Sequence, residues 1–105
     1  MKNLQLFLLC FLFFSVILSS CEQKTDVVES GTYQGVIDEV EAEKNEIYVK
    51  TADNKLLELY FTPTTTLTHQ EKEVPFDHLK EGGKVEVQVK KVGNRLDPVA
   101  VKILE

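Results

Sequence analysis

The side chains here that could do chemistry are few: two histidines, His69 and His78, three tyrosines, two cysteines, and 17 Asp and Glu against 12 Lys and Arg. The segment His69-Gln-Glu71-Lys-Glu73 alternates metal-capable groups. In an extended strand every second residue shares a face, so an imidazole and two carboxylates could turn towards one cation. Asp38, Glu39, Glu41, Glu43 and Glu46 form a second acidic group. Charge clusters of this kind are ordinarily solvated loops, and zinc favours several His or Cys ligands. No specific metal site is therefore expected, and His69, Glu71 and Glu73 are the residues one would draw on. Catalysis has less behind it. Neither histidine is placed by the sequence beside a nucleophile and an orienting group, so neither enzyme activity nor a cofactor is expected.

Both thiols, Cys10 and Cys21, lie near the N-terminus. Met1-Lys2-Asn3 carries one positive charge and the run from Leu4 to Leu18 carries none, which is the basic head and apolar stretch of a secretory signal. A membrane span takes about 20 apolar residues. Gln5 and Ser15 interrupt this run and Ser19-Ser20 ends it, so residues 1–20 predict a signal-peptide helix that is removed. Leu18-Ser19-Ser20-Cys21 resembles the lipobox of bacterial lipoproteins, an aliphatic residue and two small residues before a cysteine. The resemblance implies a diacylglycerol on the Cys21 thiol, cleavage between Ser20 and Cys21, and acylation of the new amine. Each buried methylene contributes about 0.8 kcal/mol, so two or three chains hold a protein firmly on a bilayer. Glu22 is not the aspartate that favours inner-membrane retention, and the outer membrane is favoured over the inner as the place of anchoring in the cell envelope.

With residues 1–20 gone, Cys21 is the one cysteine and it is committed to lipid. No disulfide, thiolate cluster or thiol nucleophile remains. The whole chain has a formal net charge of −5, and the loss of Lys2 makes it more negative. Nucleic acid is repelled by such a body and is not expected as a partner. Residues 21–30 lack periodicity and predict a flexible tether, which leaves residues 31–105 as one domain. A domain that small, without disulfides, needs a well-covered sheet.

Five strands are predicted. The first, Gly31 to Glu41, has imperfect alternation, because Tyr33, Gly35 and Ile37 share one parity and Val36 and Val40 the other. Gly35 is expected to mark a bulge or sharp bend. Ile47, Val49 and Thr51 alternate with Tyr48 and Lys50, and Leu57, Leu59 and Phe61 alternate with Leu56, Glu58 and Tyr60. Inward residues must pair with inward residues, so the connecting loop has an odd length. Ala52-Asp53-Asn54, with Asn54 left-handed, satisfies this and sets Val49 against Leu57, Ile47 against Leu59 and Tyr48 against Glu58. Thr64 to Thr68 predicts a short extension, and Asp77 to Gly83 a single helical turn between strands three and four, with Phe76 and Leu79 capping the core. Lys84 to Lys90 turns Val85, Val87 and Val89 inward. The last strand pairs fully only from Val99, because Pro98 has no N–H, and buries Val99, Val101 and Ile103.

A bent first strand, a hairpin, a helical connector and a closing hairpin match the order of an OB-type barrel. The expected fold is therefore all-β, a small five-stranded antiparallel OB-like barrel. Gly35-Val-Ile-Asp38 and Leu79-Lys-Glu-Gly-Gly-Lys-Val-Glu-Val87 are similar to patterns in small bacterial extracytoplasmic OB-like domains, where they mark turns and core rather than chemistry. Periplasmic copper chaperones of similar barrel shape use methionine, histidine and tryptophan. Here tryptophan is absent and the one methionine is Met1, so that function does not carry over. OB barrels bind on the outer surface of strands two and three and the flanking loops, which here offers Tyr48, Lys50, Leu56, Glu58, Tyr60 and Arg95. The reading is an envelope lipoprotein anchored through Cys21, a non-catalytic binding or accessory module for a protein, peptide or glycan partner. The alternative is weak divalent-metal binding by the acidic loops.

Overall fold

Alternating apolar side chains, punctuated by Asn, Gly and Pro, produce a chain of strands in the computed structural model, which describes residues 24–104. The signal segment, the cleavage position after Ser20 and Cys21 lie outside the described residues. The strands are β1 (Gly31–Glu41), β2 (Glu46–Thr51), β3 (Leu56–Tyr60), β4 (Thr66–His69), β5 (Lys72–Glu73), β6 (Lys84–Val92) and β7 (Arg95–Ile103). Short 3-10 turns occupy Ala42–Lys44 and Phe76–His78. Among the described residues no helix is long and apolar enough to cross a membrane.

The expected five-stranded barrel is not what forms. One seven-stranded sheet runs in the order β3-β2-β1-β6-β7-β4-β5, and its ladder does not close, so β3 and β5 are its edges. The physical cause lies between Tyr60 and Thr66. Pro63 has no N–H, and the Thr62 N–H donates to Thr65 Oγ1 at 3.0 Å while the Thr65 N–H donates back to the Thr62 carbonyl at 3.0 Å. This self-satisfied turn makes the expected short extension at Thr64 to Thr68 a separate strand, β4, rather than a continuation of β3. β4 then pairs in parallel with β7, Leu67 opposite Val101, and the Thr65 hydroxyl donates to the Pro98 carbonyl at 2.8 Å. The 3-10 turn at Phe76–His78 lies just before β6, close to where a turn was expected, but β4 and β5 stand between it and β3, so no helical turn joins β3 to β4.

The β2–β3 register is as the parity of the sequence requires, with Val49 opposite Leu57, Ile47 opposite Leu59 and Tyr48 opposite Glu58. Thr51 bonds to Lys55 across a three-residue loop, and Asn54 has φ 68°. In β1 the bulge falls at Asp38, between Ile37 and Glu39, not at Gly35. It resolves the mixed parity, because Ile37 before it and Val40 after it both turn inward while Val36 stays outside. Gly35 instead marks a close approach to the β2 backbone at Lys50.

The core is built from Ile37, Ile47, Val49, Leu57, Leu59, Val85, Val87 and Val101, with Leu79 and the edge-to-face pair Phe61–Phe76 (centroids 5.1 Å apart) closing one end. β7 departs from expectation. A register shift between Gln88 and Val89 reverses the parity of its first half, so Leu96 and Pro98 are buried and Val99 is exposed.

Candidate functional site

The open ladder makes β3 a sheet edge. Lys55 and Phe61, flanking β3, bond towards β2, the Lys55 carbonyl accepting from the Thr51 N–H and the Phe61 N–H donating to the Asn45 carbonyl, both at 2.8 Å. Hydrogen bonding in an antiparallel pair alternates, so Leu57 and Leu59 also bond inward to β2. Leu56, Glu58 and Tyr60 present their N–H and C=O groups to the other edge. At Leu56 these are met by the segment preceding β1: the Leu56 N–H donates to Asp26 Oδ2 at 2.9 Å, and the Asp26 N–H donates to the Leu56 carbonyl at 2.8 Å. Beyond Leu56, the Glu58 and Tyr60 groups have no ladder partner among the described residues, although β7 runs alongside.

Between β3 and the start of β7 lies a cleft of about 560 Å³. One wall is Glu46, Glu58, Tyr60 and Thr62; the other is Asn94, Arg95, Leu96 and Asp97; Thr25, Asp26 and Val27 form its third side. Tyr60 is 57% exposed, an aromatic face offered to solvent at the rim. Arg95 Nε donates to Asp97 Oδ1 at 2.9 Å, which leaves the cleft with an excess of carboxylates. Glu46 is only 7% exposed. Its carboxyl is pushed up to about 7, first by the hydrogen bond shared with Glu58 and then by burial. Both influences favour the protonated form of Glu46, which eases the cost of burying its carboxyl in the sheet. Tyr48 is pushed up to about 12, by burial first and then by Glu58, Glu46, Glu41 and Glu39, so its phenol stays protonated.

The six residues expected to form one surface divide. Glu58, Tyr60 and Arg95 meet at the cleft. Tyr48 is half-buried on the outer face of β2 opposite Glu58, and Lys50 and Leu56 pair further along β2 and β3, with Lys50 lining a different depression beside Val36 and Lys84. Glu46 was expected only as part of the acidic loop flanking the surface, and Asp26 was not expected in the site at all. The signal for Glu46 was present, since the register that sets Tyr48 against Glu58 also sets Glu46 against Tyr60. Asp26 left no signal, because its contact with Leu56 is made by a segment without periodicity. The segment His69 to Glu73 is not extended: Gln70 and Glu71 have φ 54° and 68° and form the tight turn between β4 and β5, which carries Glu71 out of line with His69 and Glu73. Among the described residues no group of three or more His, Cys, Asp or Glu is disposed to hold a metal ion.

Strand order and connections define a small all-β module of OB type, drawn open along one seam that carries a cleft. No protein-family model matches the sequence, and no curated protein does either. Solved structures of CusF do share the fold. Silver(I)-bound CusF aligns with TM-score 0.55 at 19% identity, over 73% of this chain and 100% of that one. A tryptophan-to-alanine variant of CusF from Escherichia coli with copper(II) gives TM-score 0.55 at 18% identity over 79% of this chain, and apo-CusF gives 0.53 at 18% over 80%. At such identities the likeness is one of fold.

Proposed function

We propose that this chain is a non-catalytic binding module of the bacterial cell envelope, held on the outer membrane by lipid on Cys21. Its seam receives an extended segment of a partner protein or peptide as an added strand. The observation that carries the reading is the edge at Glu58 and Tyr60, without a ladder partner among the described residues, beside a cleft of about 560 Å³. Strand addition uses such unpaired backbone groups for affinity and the neighbouring side chains for selection. The carboxylates around the cleft favour a neutral or basic segment, and Tyr60 offers a flat apolar face with a polar tip. Residues 21–30 serve as the link between lipid and domain. The likeness to CusF does not bring silver or copper with it, because this chain has no tryptophan and its one methionine is Met1.

The test uses full-length protein recovered with its partner from detergent-solubilised envelopes. Glu58→Pro removes the edge N–H without touching the bonds to β2, a substitution that edge strands tolerate; Glu58→Ala removes the same side chain and keeps the N–H. The complex should survive Glu58→Ala better than Glu58→Pro and should weaken with Tyr60→Ala. A complex indifferent to Glu58→Pro sinks strand addition. In parallel, Cys21→Ser should leave the membrane fraction; unchanged fractionation and mass would refute the anchor.

A further inference from the structure

Leu56, Glu58 and Tyr60 turn their backbone groups to the edge of β3, and at Leu56 a single residue answers both. Asp26 accepts from the Leu56 N–H through Oδ2 at 2.9 Å and donates its own N–H to the Leu56 carbonyl at 2.8 Å. An antiparallel partner would likewise satisfy both groups there, so Asp26 stands in for the first residue of an added strand. Thr25 and Val27, on either side of it, line the cleft with Glu58 and Tyr60.

The segment is fastened unevenly. At its base Val28 packs against the core, the Tyr33 hydroxyl donates to the Glu29 carbonyl at 2.7 Å, the Lys91 N–H donates to Ser30 Oγ at 2.8 Å, and Lys91 Nζ meets Glu29 Oε2 at 3.2 Å. Its tip, residues 24–27, is exposed, and among the described residues the tip's hydrogen bonds are the two at Asp26. Bonds open to water with little apolar burial behind them break more readily than those of a core.

We propose that residues 24–27 form a strap that gates the seam. Closed, the strap occupies the Leu56 end of the edge and leaves a partner the Glu58 and Tyr60 groups. Swung out about Val28, it frees a third pairing position and clears one side of the cleft. The inference rests on the reading of the seam as a strand acceptor. A latch of one charge-assisted and one backbone hydrogen bond, both exposed, favours the closed form roughly tenfold. A partner that needs the open form then binds more weakly by the same factor.

The experiment titrates full-length protein in detergent micelles with a seven-residue peptide of alternating lysine and valine, a basic strand former, and reads amide hydrogen exchange at Leu56, Leu57 and Leu59. Asp26→Ala should speed exchange at Leu56 and tighten the peptide, each roughly tenfold, and leave Leu57 and Leu59, which bond to β2, unchanged. Asp26→Asn keeps an acceptor and should fall between. The direction separates a latch from simple charge, because loss of a carboxylate from an acidic cleft would by itself weaken a cationic peptide. Unchanged Leu56 exchange in Asp26→Ala, or faster exchange with equal or weaker peptide binding, would overturn the strap alone. A peptide bound by neither wild type nor variant would refute strand addition at the seam, and the gate with it.

Discussion

Gly35 sits where β1 is hydrogen-bonded on both sides, opposite Thr51 of β2 and Val85 of β6. A methyl group added there would lie 2.8 Å from Val49 Cγ1 and closer still to the Lys50 carbonyl oxygen. Comfortable carbon contacts begin near 3.5 Å. Neither neighbour can yield cheaply: Lys50 is held between Val36 and Leu56 in the sheet, and Val49 is fully buried. Overpacking of this kind costs about 1–3 kcal/mol, and a backbone obstacle places Gly35→Ala at the upper end. The alanine recovers about 0.5–1 kcal/mol of chain entropy, leaving a net loss of about 2 kcal/mol. For a domain of this size each kcal/mol moves Tm by roughly 4–8 °C, so thermal unfolding followed by circular dichroism should show a fall of about 8–16 °C. An unchanged or raised Tm would mean that β1 and β2 are free to separate at this point, and the account of the close approach would be wrong.

The raised Glu46 carboxyl makes stability depend on pH in a definite direction. Because the Glu46 carboxyl lies at about 7 in the fold against an ordinary 4.5, the folded state holds a proton that the unfolded state releases. Stability should therefore fall as pH rises through that interval and level off above it. Glu46→Gln keeps a neutral donor, so its urea-unfolding free energy should fall less over the same interval; identical slopes would count against the pair. Asn54 holds a left-handed φ of 68°, so Asn54→Ala should lower stability by about 1 kcal/mol and Asn54→Gly by little. Urea midpoints reading equal for the two variants would dismiss that turn argument.

The β2–β3 hairpin was legible because two constraints agree there: both strands alternate strictly, and an odd loop with Asn54 is the one that keeps Val49 and Leu57 on the same side. β7 was misread at Val99 because Val99 is itself the extra residue of a bulge: the consecutive Gln88 and Val89 pair with Ala100 and Pro98, and an apolar β-branched side chain gives no sign that its position is the one skipped. Gly35 was recognised as special, but a glycine inside a strand signals either a bulge or a close approach, and the partner backbone at Lys50 decided which. The opening of the sheet turned on hydroxyl bonds between Thr62 and Thr65, local interactions that a run of β-branched residues disguises as strand. Tyr60 and Arg95 were each picked out on general grounds, yet their meeting depends on where β7 begins relative to β3.

On the proposed anchoring through Cys21, the bond between Asp26 and Leu56 limits how far the seam could stray from the lipid. Five peptide units at ~3.3–3.6 Å each allow roughly 17 Å of leash. An anchor there would keep the site within a thin layer over the bilayer, not at the end of a long stalk. A partner confined to that layer meets it by a two-dimensional search, and the local concentration that confinement creates lets even a weak added strand hold.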